Sequence, residues 1–354
     1  MIENKLLYLN LSVDSSDTSL GFVETWISNF LNDFDKIDVI TLNKSIEAES
    51  ISEKLKIYGI NQDSSQSKIK KFLKLKNIIK KLTQQNNYEV CFSHMSPLLS
   101  LLVKLFCVKN IPHSILWYTH PKPKEISKKF ILLTSLLIND QVVTASNSSF
   151  PYKRKKVTAI GHGIDYKLFY SARNSLPNSN FLILSRITKT KNIELSIDSF
   201  LKSKFCQNTI TIIGDPVTQE DIKYNNYLIN KYSAQDNVIF KGKVPHKNLP
   251  SVLKDYSFHI NSTDKGFYDK SVLETLSAGL FNFYSNPDYN KHFSSNVTPL
   301  CYFSSTEESL IQKLNTVFDK NKEDLIEIIK SGQLSVGNEN VETISKRILS
   351  TIES

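Results

Sequence analysis

Two stretches of the sequence, NFLILSRITKTKN (residues 180–192) and FHINSTDKGFYDKSVLETLSAG (residues 258–279), decide the fold. Each begins with an apolar segment of strand character, continues through a polar turn and ends in a helical pattern. Two strand–loop–helix crossings in one half of a chain indicate a parallel α/β sheet, whose functional groups lie beyond the carboxyl ends of its strands. The first stretch places Arg186 and Lys191 at that edge, and the second places Glu274 there.

The residue types at this edge favour one kind of ligand. The guanidinium of Arg186 and the ammonium of Lys191 stabilise the negative charge of a diphosphate. The carboxylate of Glu274, in the first turn of the predicted helix, accepts hydrogen bonds from a pair of sugar hydroxyls. A solvated basic turn, and an acid that favours the positive end of a helix dipole, are the plain structural alternatives. The combination indicates a pocket for a nucleotide sugar.

Strand and helix patterns alternate on both sides of these stretches. Segments of strand character occur at residues 5–11, 37–42, 55–60, 88–95, 113–120, 140–146, 156–165, 181–185, 209–215, 238–242, 257–261, 281–286 and 300–303. Between residues 170 and 180 the periodicity is lost and Ser, Asn and Pro accumulate, which predicts a linker. The alternation before and after it predicts an α/β fold of two Rossmann-like domains in tandem.

The same pattern gives the domain boundaries. We expect an N-terminal domain over residues 1–169, the linker over residues 170–180 and a C-terminal domain over residues 181–335. Residues 336–354 predict a further helix, which we expect to pack back on the N-terminal domain.

Composition restricts the classes of protein to consider. The 354 residues are 40% hydrophobic and carry a net charge of +9, which favours anionic partners. The four cysteines are far apart and form no C-x-x-C pair, so neither a zinc site nor a disulfide framework is indicated. No apolar run reaches the length of a membrane span. We expect a cytoplasmic protein.

The motifs of the C-terminal half resemble those of the GT-B-fold retaining glycosyltransferases of family 4, also called glycosyltransferase group 1. Arg186 and Lys191 have the spacing of the family's Arg-x4-Lys pair, to which the resemblance assigns the donor diphosphate and a catalytic role. Glu274, followed by Thr-Leu-Ser-Ala-Gly, is similar to the second glutamate of the family's E-x7-E motif, which holds the ribose hydroxyls. The resemblance implies two domains that face each other across a cleft, with the donor in the C-terminal domain and the acceptor in the N-terminal one.

The N-terminal half is similar to one branch of this family. The matching strings are SHM (93–95), WYTH (117–120), TAS (144–146) and GHGID (161–165). His120 stands where relatives carry a histidine that faces the donor sugar and the acceptor, which implies a catalytic role in holding the sugar or orienting the acceptor. The alternative is a histidine that caps a strand end. His94 and His162 are expected to line the acceptor side or the cleft, or to be structural.

The donor loop departs from the family pattern. Gly266 occupies the position of the first glutamate of E-x7-E, while Asp269 and Lys270 supply an Asp-Lys pair that relatives of this branch carry in the loop. We expect Asp269 to take over sugar-hydroxyl contacts. The predicted donor-binding residues are Gly21, Arg186, Lys191, Gly266, Phe267, Asp269, Lys270, Ser271 and Glu274.

The expected activity is transfer of a hexose from a nucleoside diphosphate sugar to an acceptor hydroxyl, in the assembly of a surface glycan, lipopolysaccharide or glycolipid. The alternative is a catalytically inactive relative that binds nucleotide sugar or glycan without transfer. No cofactor and no metal are expected, because Asp33 and Asp35, a formal D-x-D, close a helix rather than end a strand. The Gly-x-Gly-x-x-Gly turn of dinucleotide enzymes is missing, and the basic stretches lack the interleaved aromatic residues of nucleic-acid binders.

The segment SKIKKFLKLKNIIKKL (67–82) predicts a basic amphipathic helix. Seven lysines and no acid occupy residues 68–81, while apolar side chains recur at helical spacing at Ile69, Phe72, Leu73, Ile79 and Leu82. Such a helix lies on an anionic membrane with its apolar face buried, which predicts peripheral binding to the inner face of the membrane. The alternative is a helix that packs this face on the sheet and exposes its lysines to solvent.

Overall fold

A computed structural model of the chain describes residues 4–13, 22–44, 52–61, 67–173, 175–176 and 178–353. The chain forms two compact units. Unit 1 combines Met1–Gly163 with Val341–Ser354, and unit 2 is the continuous segment Ile164–Asn340.

Unit 1 contains a parallel sheet of seven described strands, in the order β3-β2-β1-β4-β5-β6-β7. The strands are β1 (Lys5–Val13), β2 (Lys36–Lys44), β3 (Leu55–Gly59), β4 (Val90–His94), β5 (His113–Trp117), β6 (Gln141–Thr144) and β7 (Val157–Ala159). The helices of this unit are α1 (Val23–Phe30), α2 (Lys68–Gln85), α3 (Pro97–Phe106), α4 (Ile126–Ile138) and, numbered last in chain order, α13 (Val341–Glu353).

Successive side chains along the strands of unit 1 point to opposite faces of the sheet, and helices cover both faces. Leu7 and Leu9 of β1 pack with apolar side chains of α2 and α3, and α4 covers the same face through Leu132 and Leu136. Tyr8, between the two leucines, points to the opposite face. There it belongs to an aromatic cluster with α1 that comprises Tyr8, Trp26, Phe30, Phe92 and Trp117.

Helix α13 belongs to unit 1. The side-chain amide of Asn29 in α1 donates to the carbonyl of Val341, at 3.2 Å, and the guanidinium of Arg347 donates to the carbonyl of Ile160, at 2.8 Å. The structure therefore divides the chain after residues 163 and 340, rather than within the expected linker.

Unit 2 contains a parallel sheet of five described strands, in the order β10-β9-β8-β11-β12. The strands are β8 (Phe181–Leu184), β9 (Ile210–Ile213), β10 (Val238–Gly242), β11 (Phe258–Asn261) and β12 (Phe281–Tyr284). The helices are α5 (Tyr166–Phe169), α6 (Ile193–Leu201), α7 (Gln219–Lys231), α8 (Leu249–Leu253), α9 (Lys270–Ser277), α10 (Thr298–Cys301), α11 (Glu307–Phe318) and α12 (Lys322–Val336). The strand order reverses between β8 and β11, and in open α/β sheets ligands bind beyond the carboxyl ends of the strands at such a reversal.

Arg173 fastens the expected linker to unit 2. Its buried guanidinium donates to the carbonyls of Leu253, Tyr256 and Ala278, at 2.9, 2.8 and 3.1 Å. Leu253 and Ala278 lie at the carboxyl ends of α8 and α9, where a positive charge stabilises the negative end of each helix dipole. This part of residues 170–180 is thus a packed component of unit 2.

One predicted strand is wrong. Residues 300–303 were expected to form a strand, but Thr298–Cys301 is the short helix α10, and a single bridge joins Tyr302 to Tyr284. Pro299 lies in the first turn of α10, where its fixed φ and missing N–H group favour the start of a helix.

Among the helices that the structure describes, none has both the length and the apolar character of a membrane span.

Gly214 permits a close backbone approach at the carboxyl ends of β8 and β9. Its φ is +148°, and a Cβ atom there would lie 1.8 Å from the carbonyl oxygen of Ser185. The N–H group of Ser185 donates to the carbonyl of Ile213, at 3.1 Å, and so ties the two strand ends together. Gly214 thereby fixes the backbone that leads into Arg186.

We predict that Gly214→Ala lowers the free energy of unfolding by more than about 3 kcal/mol, because a backbone carbonyl has to move to admit the methyl group. Urea unfolding followed by circular dichroism measures the change. Gly337→Ala is the matched control, since its added Cβ would meet no atom closer than 3.8 Å. Equal stability of the two variants would contradict the close approach.

Candidate donor site

Arg186 lies beyond the carboxyl end of β8, at the reversal of the strand order. Its side chain is exposed and forms no hydrogen bond or ion pair with another residue of the described ranges. The chain continues into a 3-10 helix, Lys189–Lys191. Asn192 follows with a φ of +46° and is the N-cap residue of α6. The side-chain amide of Asn192 donates to the carbonyl of Ser262, at 2.9 Å. The loop after β8 is therefore joined to the loop after β11.

Lys191 is buried in an ion pair with Asp269. Its ammonium donates to both carboxylate oxygens of Asp269, at 2.6 and 2.7 Å, and the side chains are only 7% and 19% exposed. Asp269 also accepts hydrogen bonds from Asn261, at 3.1 Å, and Thr263, at 2.9 Å. Four hydrogen bonds from these three side chains thus converge on one carboxylate.

The pKa of Asp269 reflects two opposing effects. Burial by itself raises the pKa of this carboxyl group, because it disfavours the charged form. The adjacent Lys191 ammonium, with the hydrogen bonds from Asn261 and Thr263, outweighs burial and holds the pKa below its usual value. Asp269 is therefore an anion that is compensated within the protein, and its four hydrogen bonds leave it poorly suited to the sugar contacts that we expected.

The loop between β11 and α9 is held by buried aromatic residues. Gly266 is buried with a φ of +101°, a conformation that favours glycine. The ring of Tyr268 stacks on that of Tyr289, with centroids 4.6 Å apart, and the Tyr289 hydroxyl contacts the backbone of Asp269. The Lys191 ammonium lies 5.5 Å from the ring centroid of Phe267. Aromatic packing and the ion pair thus both tie this loop to the body of unit 2.

Glu274 is buried in the second turn of α9, not in the first turn as its sequence position suggested. Its Oε1 atom lies 2.9 Å from Nε2 of His246, which begins the 3-10 helix His246–Asn248 after β10. No pattern in the sequence marks His246 as a site residue. The contact joins the connection after β10 to α9, 28 residues further along the chain, so no local signal reveals it.

Lys270 is the first residue of α9 and stands one helical turn before Glu274. Burial lowers the pKa of its amino group well below the ordinary lysine value, and the nearby Glu274 carboxylate favours the charged form. Lys270 and Ser271 both lie in the first turn of α9, where the dipole favours anionic ligands.

Two other histidines of unit 2 are part of the core. Burial lowers the pKa of His259 to about 4 and that of His292 to about 3. His259 contacts the side chain of Asn282, at 2.6 Å, and His292 contacts the Tyr268 hydroxyl, at 2.7 Å. Both are therefore part of the packed interior of unit 2.

The candidate residues of unit 1 occupy different environments. His94 and His162 are buried, and both rings contact Trp117, with centroid distances of 6.3 and 5.5 Å. Nδ1 of His94 also lies within hydrogen-bonding distance of the Tyr8 hydroxyl. His120 is exposed beyond β5, with its ring edge-on to Tyr118. The structure brings His94 and His162 together at Trp117, whereas Gly21 lies outside the described residues.

We predict that Asp269→Asn lowers the free energy of unfolding by about 2–4 kcal/mol at neutral pH, because it leaves the Lys191 charge buried without its counterion. Asp319→Asn, which breaks the exposed pair with Lys204 in the same unit, is the control and changes stability little.

The effect of Asp269→Asn depends on pH in a defined direction. The folded-state pKa of Asp269 is depressed, so the stability from its charge is present above the unfolded pKa of about 3.9 and is lost as pH falls through the folded pKa. Urea titrations of the variant and wild type at pH 7 and pH 3 measure the difference in their free energies of unfolding at each pH. A difference between variant and wild type that grows on acidification would contradict the assignment.

Comparison with known proteins agrees with this architecture. Residues 172–332, which lie within unit 2, match the family model of glycosyl transferases group 1. No curated protein matches the sequence.

Solved structures resemble the whole chain. HepE of Anabaena, in complex with UDP and glucose, has a TM-score of 0.75 at 12% identity, covering 99% of this chain and 100% of its own. Sucrose-phosphate synthase of Thermosynechococcus elongatus has a TM-score of 0.78 at 13% identity, covering 99% and 98%. A variant of S. aureus TarM, in complex with fondaparinux, alpha-GlcNAc-glycerol and UDP, has a TM-score of 0.71 at 11% identity, covering 99% and 100%.

These likenesses confirm the predicted α/β fold class. The sequence of unit 2 matches the group 1 glycosyl transferases over residues 172–332, and the chain as a whole has the GT-B fold of the glycosyltransferase structures.

Proposed function

We propose that this chain is a retaining glycosyltransferase of the family 4 type, which transfers a hexose from a nucleoside diphosphate sugar to an acceptor hydroxyl. The observation that carries the proposal is the position of Arg186 and Glu274. Arg186 is an exposed cation beyond β8, at the reversal of the strand order, and Glu274 is a buried carboxylate on the helix that follows the neighbouring strand β11. Cation and carboxylate match the diphosphate and the ribose of one ligand.

The reaction develops charge on the leaving group. The bond between the sugar's anomeric carbon and the diphosphate oxygen breaks, and the acceptor oxygen forms a new bond to that carbon on the same face of the sugar. The departing phosphate accepts the acceptor's proton, so no covalent protein nucleophile and no protein base are required. Arg186 and the first turn of α9 stabilise the charge that builds on the diphosphate. His120 orients the sugar or the acceptor.

The comparisons support a nucleotide-sugar donor. Residues 172–332 match the group 1 glycosyl transferases, and HepE and TarM, which share the fold, are in complex with UDP. We propose a metal-independent reaction without a cofactor, in which unit 2 holds the donor and unit 1 binds a glycan or lipid-linked acceptor. The setting is assembly of a surface glycan, lipopolysaccharide or glycolipid in the cytoplasm.

A second candidate is a relative that binds nucleotide sugar or glycan without transfer. Gly266 stands in place of the first motif glutamate, and Lys191 is committed to Asp269, so two groups of the family's donor site are absent or already paired.

We predict that wild type binds a nucleoside diphosphate, with UDP as the first probe, in the presence of a metal chelator. Isothermal titration calorimetry with a panel of diphosphates and their sugars measures the affinities. Arg186→Ala and Glu274→Ala should weaken binding about tenfold or more, because each removes a charged hydrogen-bonding group. Lys204→Ala, an exposed cation of the same unit, is the control for net charge.

The outcomes separate the candidates. Binding that both variants lose, together with hydrolysis or transfer of the bound donor's sugar, supports the enzyme. Binding without turnover supports the inactive relative. A folded wild-type protein that binds none of the diphosphates would overturn the proposed function.

We also propose that unit 1 binds an anionic membrane surface. Along α4, four apolar side chains at helical spacing are exposed, with Ile126 at 84% and Phe130 at 69%, followed by Leu133 and Leu137. The surrounding lysines are Lys122, Lys124, Lys128 and Lys129. Apolar side chains ringed by cations fit an anionic lipid headgroup layer.

Helix α2 contributes only part of the surface that its sequence suggested. Ile79 and Leu82 pack in the core of unit 1, as the packing alternative requires. Ile69, Phe72 and Leu73 in the amino-terminal half are exposed beside the lysines. Because α2 and α4 cover the same face of the sheet, we assign the membrane surface to the amino-terminal half of α2 together with α4.

We predict that wild type binds vesicles containing phosphatidylglycerol and binds pure phosphatidylcholine vesicles much more weakly. The double variant Ile126→Ser/Phe130→Ser should bind anionic vesicles at least about tenfold more weakly, because two apolar side chains no longer enter the lipid. Co-sedimentation measures the bound fraction. Leu334→Ser, which removes an equally exposed apolar side chain from unit 2, is the control. Unchanged binding of the double variant would contradict the α4 assignment.

A further inference from the structure

His246 and Glu274 form a mostly buried contact that the proposed reaction does not by itself require. The Nε2 atom of the imidazole lies 2.9 Å from Oε1 of Glu274, and the two side chains are 18% and 7% exposed. The imidazole also meets the Phe169 ring edge-to-face, with centroids 5.2 Å apart. The imidazole is thus held between an aromatic ring and a carboxylate.

We propose that His246 is a positioning residue, which fixes the Glu274 carboxylate in the orientation that receives the two ribose hydroxyls of the donor nucleotide. This inference rests on the proposed function. It assigns to His246 a part in recognising the nucleotide, acting through Glu274.

The chemistry of the pair determines which atoms remain for the ligand. A carboxylate only accepts hydrogen bonds, so the Nε2 atom of His246 carries a proton and donates it to Oε1. A carboxylate has about four lone-pair sites, and one is used by the imidazole. With respect to the residues that the structure describes, Oε2 and the second lone pair of Oε1 remain for a vicinal diol, whose two hydroxyls both donate.

Restriction of the Glu274 side chain favours binding. A free glutamate side chain samples several rotamers, and ordering them on ligand binding opposes association. The hydrogen bond from His246 orders the carboxylate beforehand, and Phe169 in turn orders the imidazole. The hydrogen bond also orients one carboxylate oxygen. Hydrogen-bond partners orient the metal-binding side chains of metal sites in the same way.

Position in the fold supports a role in the site. His246 begins the 3-10 helix after β10, and Glu274 lies in α9 after β11, so the contact joins two segments that follow the carboxyl ends of strands. The exposed ion pair Lys204–Asp319 of the same unit lacks this location. A contact between two connections at the ligand-binding edge of a sheet fits recognition better than general stability.

A pair of ligands tests the inference directly. The probes are UDP, or the diphosphate that the panel identifies, and its 2′,3′-dideoxy form, which lacks both hydroxyls. Calorimetry measures the affinity of each for wild type, His246→Ala and His246→Gln. Asn248→Ala is the matched control, because Asn248 is an exposed residue of the same 3-10 helix whose side chain does not cap α8.

We expect His246→Ala to weaken binding of the ribose form about tenfold and to leave binding of the dideoxy form unchanged within about twofold. His246→Gln should restore much of the loss, because its side-chain amide can donate to the same carboxylate oxygen. Thermal unfolding of each variant shows whether the protein remains folded. The glutamine variant keeps the test valid if the alanine variant does not fold.

Two failures have different meanings. If His246→Ala weakens both ligands equally, or neither, the residue does not act through the ribose contacts and the inference is overturned, while the proposed function stands. If wild type binds no diphosphate, the proposed function and the inference are both overturned.

Discussion

The buried ion pair between Lys191 and Asp269 is the constraint on which the candidate site depends. It joins the connection after β8 to the connection after β11, at the point where the strand order reverses. A buried pair of charges is stable only when its geometry is good and its remaining hydrogen-bonding capacity is used. Asn261 and Thr263 meet that condition, since both donate to the carboxylate. The positions of the two loops therefore follow from one compensated charge.

This pairing changes the electrostatics that the sequence suggests. Read along the chain, Arg186 and Lys191 are two cations for one diphosphate, but in the structure Asp269 already neutralises Lys191. Arg186 remains the exposed member of the pair. Under the proposed function, attraction of the diphosphate then comes from Arg186 together with the amino-terminal turn of α9. The ion pair thus preorganises the site before a ligand binds, but it leaves one cation fewer for the ligand.

The sequence predicts the strands of unit 2 and the loops that carry Arg186, Asp269 and Glu274, because apolar periodicity and turn residues are local signals. It does not predict which side chains meet. Lys191 and Asp269 are 78 residues apart, and their contact depends on strand order and on the positive φ of Gly266. The His246 contact was missed for the same reason. The predicted strand at residues 300–303 failed because a short apolar run fits a helix turn equally well, and Pro299 favours the helix.

The division of the chain has a consequence for the order in which it folds during synthesis. Unit 2 is one continuous segment, whereas unit 1 requires α13, which is encoded after all of unit 2. A ribosome therefore completes unit 2 while the face of α1 that α13 covers is still open. Asn29 gains its partner Val341 only after 311 intervening residues have been added. The unit whose synthesis begins first is therefore the unit whose fold is completed last.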